Sequence, residues 1–259
     1  MLKKISAILL YCISFCVYSN HILKISQKDA LKIGKKIWYN ESAGQVNGLT
    51  SWNKGEGFAS LGIGHFLWYP KNYKSNRIKQ SFPSLLVFLQ KNNADIPSWL
   101  IQASACPWHS RQTFYASFQG NKMISLRKVM YDTIGLQSTY IANRLEKVIP
   151  LMLHDTPFDM REQMLDEIKS LAATEQGLYA MMDYVNFKGA GLRKYNEADW
   201  GLLQVLELMP NAPDDESINE KFVWAADQIL TYRAKHSKNR AQEMKWLVGW
   251  RARLRTYLG

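Results

Sequence analysis

The chain has 259 residues, with 33 Lys and Arg against 22 Asp and Glu, five histidines and three cysteines. That length supports one domain with a full hydrophobic core, and so few cysteines exclude a disulfide scaffold. A formal charge of +11 argues for an anionic partner, without choosing between a cell-wall polymer, a membrane surface and nucleic acid.

The first residues read Met1-Leu2-Lys3-Lys4, then an apolar run from Ile5 to Val17, then Tyr18 and Ser19. Two lysines, a short hydrophobic stretch and small residues at Val17 and Ser19 describe a secretory signal peptide cleaved after Ser19. An uncleaved anchor is the alternative, but the run is shorter than the ~20 residues of a spanning helix. Nothing downstream approaches that length, so no membrane span is expected after cleavage, and an exported, periplasmic or secreted protein is. Residues 20–259 then form a single domain. Cys12 and Cys16 leave with residues 1–19, and only Cys106 remains. Its setting, Ala105-Cys106-Pro107-Trp108, reads as a buried small hydrophobe rather than a nucleophile. Loss of Lys3 and Lys4 takes the charge from +11 to +9. The surplus concentrates late in the chain, from Arg233 to Arg255, where a solvated helix face accounts for much of it.

Ser26-Gln27-Lys28-Asp29 has capping-box form, and behind it Ala30, Ile33, Ile37 and Glu41 share one helix face. A carboxylate is thereby set at the C-terminal end of the helix, on the stripe that otherwise faces the core. From Ser42 to Trp68 the pattern changes to short apolar runs broken by Gly44, Gly48, Gly55, Gly57, Gly62 and Gly64. Such punctuation predicts a small β-hairpin or three-stranded sheet. Beyond Pro70 the chain reads as helical, with helices at about 84–92, 97–104, 126–134, 138–153, 159–173, 175–187, 196–208, 218–235 and 240–258. Pro150 is expected to kink one of them. The expected fold is α+β and mainly α: a helix plus β-hairpin lobe over about 20–75 and a helical body over about 76–259.

Glu41 at a helix end, a glycine-rich hairpin, and then Ser60-Leu61-Gly62-Ile63-Gly64-His65 resemble, in that order, the phage-type lysozymes of the endolysin family. The resemblance covers roughly residues 30–70, with a weaker echo where Asn239-Arg240-Ala241 precedes Trp246, Trp250 and Arg251. It implies a lysozyme-like fold and cleavage of peptidoglycan glycan strands. Glu41 matches the general acid, Ser60 the threonine that positions water, and His65, with Gly62 and Gly64, the structural close of the motif. The family's hairpin aspartate has no counterpart between Gln45 and Ala59, where Glu56 is the one acidic residue. Either Glu56 fills the role from another register, or Asn53 occupies the place without the charge.

The chemistry explains why a pair is sought. Cleavage through an oxocarbenium-like state needs a proton donor on the leaving oxygen, and a base or negative group for the water and the developing charge. Against the apolar walls offered by Ile37, Trp38 and Tyr39, a glutamate is expected to stay protonated through desolvation. With one carboxylate alone, the resemblance extends to lytic transglycosylases, in which a single Glu is acid and then base and a sugar 6-hydroxyl replaces water. Trp200-Gly201-Leu202-Leu203-Gln204 looks like their Gly-Leu-Met-Gln run but reads as core. A chitin-type hydrolase shares the chemistry, and a non-catalytic glycan-binding or inhibitory protein is the reading from a different class.

Asn53, Trp52, Tyr184 and Asn186 are candidate substrate contacts, since amides and ring faces hold sugars, and Trp68 and Tyr69 are as readily core. The five histidines show no metal-ligand spacing, so neither metal nor cofactor is expected. The expected partner is peptidoglycan, not nucleic acid, and the chain is expected to act as a monomer.

Overall fold

The computed structural model describes residues 23, 25–73, 79–193 and 200–259. The signal sequence with its cleavage after Ser19, and the first residues of the helix expected from 196, lie outside them. Helix α1 (Gln27–Ser42) starts where the Ser26 hydroxyl accepts the Asp29 backbone N–H at 3.1 Å. It stops at Ala43, in the left-handed region at φ 50°, whose N–H returns to the Tyr39 carbonyl. Ala30, Ile33 and Ile37 are buried along it, the stripe expected from their spacing.

A 3-10 turn (Val46–Leu49) leads into a three-stranded antiparallel sheet, β1 (Thr50–Ser51), β2 (Ala59–Leu61) and β3 (Phe66–Trp68), in that order. Ser60 stands opposite both Ser51 and Leu67. Helices follow: α2 (Phe82–Lys91), α3 (Ser98–Ile101), α4 (Arg111–Ala116), α5 (Asn121–Asp132) and α6 (Ile134–Asp155). Then come α7 (Arg161–Ala172), α8 (Glu175–Lys188), α9 (Leu202–Leu208), α10 (Ile218–His236) and α11 (Arg240–Arg255). The molecule is therefore mainly helical with a very small sheet. Among the described residues no helix is long and apolar enough to cross a membrane.

Several boundaries differ from the sequence expectation. Helix α4 was not foreseen, because its cap uses Thr113 in place of the usual Glu or Gln. Ser110 and Thr113 bond each other's backbone N–H reciprocally, closing the first turn. Helix α5 begins at Asn121, and α6 starts four residues early at Ile134, with Gly135 in its first turn beside Leu31 of α1. Pro150 lies inside α6, which continues to Asp155.

Helix α1 lies against α6, and Gly34 makes the approach possible. A Cβ there would stand 3.0 Å from both Ile134 Cγ2 and the Ile134 carbonyl. The core beneath the sheet is aromatic: Trp52, Trp68, Phe82, Trp108 and Phe114 are buried against one another. Cys106 is buried among them, and burial pushes its thiol up to about 12. An inert hydrophobe, as the sequence suggested, is what that environment makes of it.

Candidate active site

Glu41 is the penultimate residue of α1, and its side chain is 13% exposed. One carboxylate oxygen accepts from Arg253 Nη2 at 2.6 Å, and the other lies 3.4 Å from His65 Nδ1. Three distant segments thus meet at one carboxylate: the end of α1, the β2–β3 turn and the last turn of α11. The apolar walls expected from Ile37, Trp38 and Tyr39 are not there. Ile37 faces the core, Tyr39 is 67% exposed, and the Trp38 indole N–H turns to the Gln45 carbonyl. Ile37, four positions back, shares the Glu41 face but packs inward beneath it, while Tyr39, two positions back, turns to solvent. Glu41 has a guanidinium and an imidazole for neighbours instead.

Arg253 is itself held. Its side chain is 10% exposed, and Nε and Nη2 donate to the two oxygens of Asp183, at 2.7 and 2.8 Å. Asp183, on α8, is fully buried and also accepts from the Tyr257 hydroxyl at 2.6 Å and from Asn40 Nδ2 at 3.2 Å. Asn40 Nδ2 is also 2.7 Å from the Tyr179 hydroxyl, which pairs with Thr256 Oγ1 at 2.7 Å. Burial works against the Arg253 charge, but Asp183 and then Glu41 more than offset it and hold the guanidinium above its ordinary range. Burial, reinforced by the Asp183 charge, pushes Tyr179 up to about 12 and Tyr257 well above its usual value. Asp183 is thus the anchor of a network that fixes Arg253, and Arg253 fixes Glu41.

The hairpin side is set by glycines. Gly62 has φ +69°, and a Cβ on it would sit 2.2 Å from Gln137 Oε1. That oxygen is occupied, accepting the Ile63 N–H at 2.9 Å, while Gln137 Nε2 donates to the Met130 carbonyl and to Thr133. Gly62→Ala is accordingly expected to destabilise the protein by about 3 kcal/mol. Left-handed strain and a displaced, fully buried amide that leaves Ile63 unpaired both contribute. Chemical denaturation that shows no change in midpoint would contradict this. His65 follows at φ +46°. At Gly64 a Cβ would be 3.0 Å from Asn186 Oδ1, so Asn186, at the end of α8, reaches the same turn as Glu41 and His65.

The remaining residues singled out from the sequence fall elsewhere. Ser60 is buried in mid-sheet and makes no hydrogen bond to Glu41. Glu56 lies in the β1–β2 turn, where Asn53 Nδ2 donates to its carboxylate at 3.1 Å and the Trp52 indole donates to its carbonyl at 2.7 Å. That turn is at the Ala59 end of β2 and His65 is past the Leu61 end. About 7 Å of strand, at about 3.3 Å per residue, separates the two ends. Trp52 and Tyr184 do not line a cleft. Both are fully buried, Trp52 against Phe114, and Tyr184 with its hydroxyl donating to the Trp200 carbonyl. Trp68 and Tyr69 are core as well. Trp200 to Gln204 are also structural: Gln204 ties Gly201 to Gly191 across a close backbone approach.

Asp183 and Arg253 were missed by sequence reasoning, as were Asn40, Tyr179 and Tyr257. Arg253 was absorbed into a basic run read as solvated. A signal for Asp183 did exist: it is the one charge in the apolar stretch Leu178 to Val185, and a carboxylate placed there needs a partner.

Among the described residues no group of three or more His, Cys, Asp and Glu is placed to hold a metal ion. An open depression of about 580 Å³, lined by Asp159, Glu162, Asp166, Glu167 and Ile218 among others, shares no residue with the Glu41 site. Burial pushes Glu167 up to about 7, and its Oε2 is enclosed without a hydrogen bond. The folded state then holds a proton that the unfolded chain releases, so the penalty is absent below pH about 4.5 and complete above about 7. Glu167→Gln is expected to raise the melting temperature at pH 8 and to change it little at pH 4.5. Equal shifts at both pH values would refute the assignment. No protein-family model, curated protein or solved structure matches the chain.

Proposed function

We propose that the protein is an exported glycosidase of lysozyme type that cleaves the glycan strands of peptidoglycan, with Glu41 as general acid. The observation that carries this reading is the meeting of Glu41, at the end of α1, with His65 of the Ser-Leu-Gly-Ile-Gly-His turn. Helix end, hairpin and turn follow one another as in the phage-type lysozymes, and Asn186 adds an amide beside them. In this role Glu41 protonates the leaving glycosidic oxygen as positive charge develops on the sugar, and water completes hydrolysis. Arg253 fixes the carboxyl group's direction, and His65 borders it on the hairpin side.

A second reading, a lytic transglycosylase, is favoured by the position of Glu56. Its carboxylate is bonded within its own turn, which leaves Glu41 to serve as acid and then base, with the sugar's 6-hydroxyl as nucleophile. Digestion of purified peptidoglycan by wild type and Glu41→Gln, with mass analysis of the products, tests both. New reducing ends identify the hydrolase, and anhydro-sugar ends the transglycosylase. Equal digestion by the two proteins would remove Glu41 from the mechanism, and no digestion by wild type would leave a glycan-binding protein.

A further inference from the structure

A row of alternating cations and rings leads away from Glu41. The Arg253 guanidinium lies 4.2 Å from the centre of the Phe187 ring. Lys188 Nζ lies 3.9 Å from that same ring and 3.7 Å from the centre of Trp250. Beyond it, Arg233 stands 5.0 Å from Trp250 and 4.1 Å from Trp200. Trp246 follows Trp250 at a ring separation of 6.3 Å and is 48% exposed. Arg253, Trp250 and Trp246 are spaced three and four residues apart, which puts them on one face of α11. That face runs from the Glu41 ion pair out to an exposed indole.

The cations in this row are unequally compensated. Arg253 has Asp183 and Glu41, and Arg233 has the two oxygens of Glu243, at 2.8 and 3.4 Å. Lys188 makes no hydrogen bond or ion pair among the described residues; two ring faces hold it, and Glu243 and Glu41 attract it only from beyond ion-pair distance. Burial first, then the neighbouring Arg233 and Arg253, push its amine down to about 7. Ring faces offset only a small part of the cost of taking an ammonium out of water. A lysine whose only task were to cover apolar surface would carry its head out to water. This one keeps it between two rings and beside two guanidiniums.

We propose that Lys188 is the binding point for a carboxylate carried by a substituent of the glycan strand, with Trp246 offering a stacking face for the sugar beyond it. The glycan part deepens the reading above and rests on it, but the carboxylate part stands on an amine held between two rings without an ion-pair partner. The charged and titratable groups around Lys188 are Asp183 on its own helix, Glu41 on α1, Arg233 on α10, and Glu243 and Arg253 on α11. His65 joins them from the hairpin through Glu41. Glu243 and Glu41 act on Lys188 through space but make no ion pair with it, and each is held by an arginine, Arg233 and Arg253. A bound carboxylate favours the ammonium form, so binding takes up a proton above pH about 7. Affinity for the acid is therefore level below that pH and falls as pH rises past it.

The test uses a disaccharide–dipeptide fragment of peptidoglycan with free carboxylates, and the same fragment with its carboxylates amidated, titrated calorimetrically into the full protein. At pH 6 wild type is expected to bind the free acid at least about tenfold more tightly than the amide, and at pH 8.5 that preference shrinks. Lys188→Met brings the ratio to near one. Lys188→Arg keeps the preference and removes its decline at pH 8.5, because a guanidinium stays charged. Trp246→Ala weakens both fragments alike. Equal binding of the two fragments by wild type, a preference that survives in Lys188→Met, or no binding of either fragment would each overturn the proposal. Intact digestion of peptidoglycan in those cases leaves the glycosidase reading standing. Conversely, a carboxylate preference in a protein that cuts nothing sinks that reading and keeps this one.

Discussion

Asp183→Ala is expected to destabilise the protein by about 3–5 kcal/mol, the cost of breaking a buried charge pair from one side. Asp183 is fully enclosed, and both its oxygens are committed to Arg253, with Tyr257 and Asn40 completing the shell. Its removal leaves a nearly buried guanidinium held only by Glu41, and a buried phenol without an acceptor. Asp183→Asn retains the shape and one acceptor, so a smaller loss of about 2 kcal/mol is expected from a weakened hydrogen-bond set. Urea denaturation reads both values, and a loss under about 1 kcal/mol for alanine would show the network to be redundant. A second readout separates positioning from bulk stability. Under the proposed function, where the asparagine protein is still fully folded, its glycan cleavage should fall mainly in kcat, since Arg253 no longer holds Glu41 in one direction.

The other large effect is on Glu41 itself. Under the proposed function, Glu41→Gln keeps the size and one hydrogen bond to Arg253 but removes the transferable proton. General acid catalysis is worth about 10²–10⁴-fold, so cleavage is expected to drop by about that range. Stability should shift by only about 1 kcal/mol, because Arg253 retains both oxygens of Asp183. A folded Glu41→Gln protein that cleaves within a few-fold of wild type would refute the role. A large stability loss at Asp183, against a rate loss with little change in stability at Glu41, distinguishes an anchor from a reacting group.

Much of the fold could be read from local rules. The Ser26 cap and the Ala30–Ile33–Ile37 stripe gave α1, glycine punctuation gave the hairpin, and the later helices follow periodic apolar faces. What local rules could not give is the direction in which an isolated side chain finally points. The chemistry of Trp52 and Tyr184 suits sugar contact, yet tertiary packing places both in the core. Asn186, of equally suitable chemistry, reaches Gly64. Nothing in composition separates these three. Arg253 shows the converse: in a run of basic residues every member looks solvated, and only the position of α8 turns one of them inward to Asp183.

The Glu41–Arg253 contact spans 212 positions. Closing so long a loop costs entropy before any contact compensates it. The helices on either side can therefore be in place while the carboxylate still lacks its partner. Under the proposed function, the site is complete only once the helix that carries Arg253 packs beside the helix that carries Glu41.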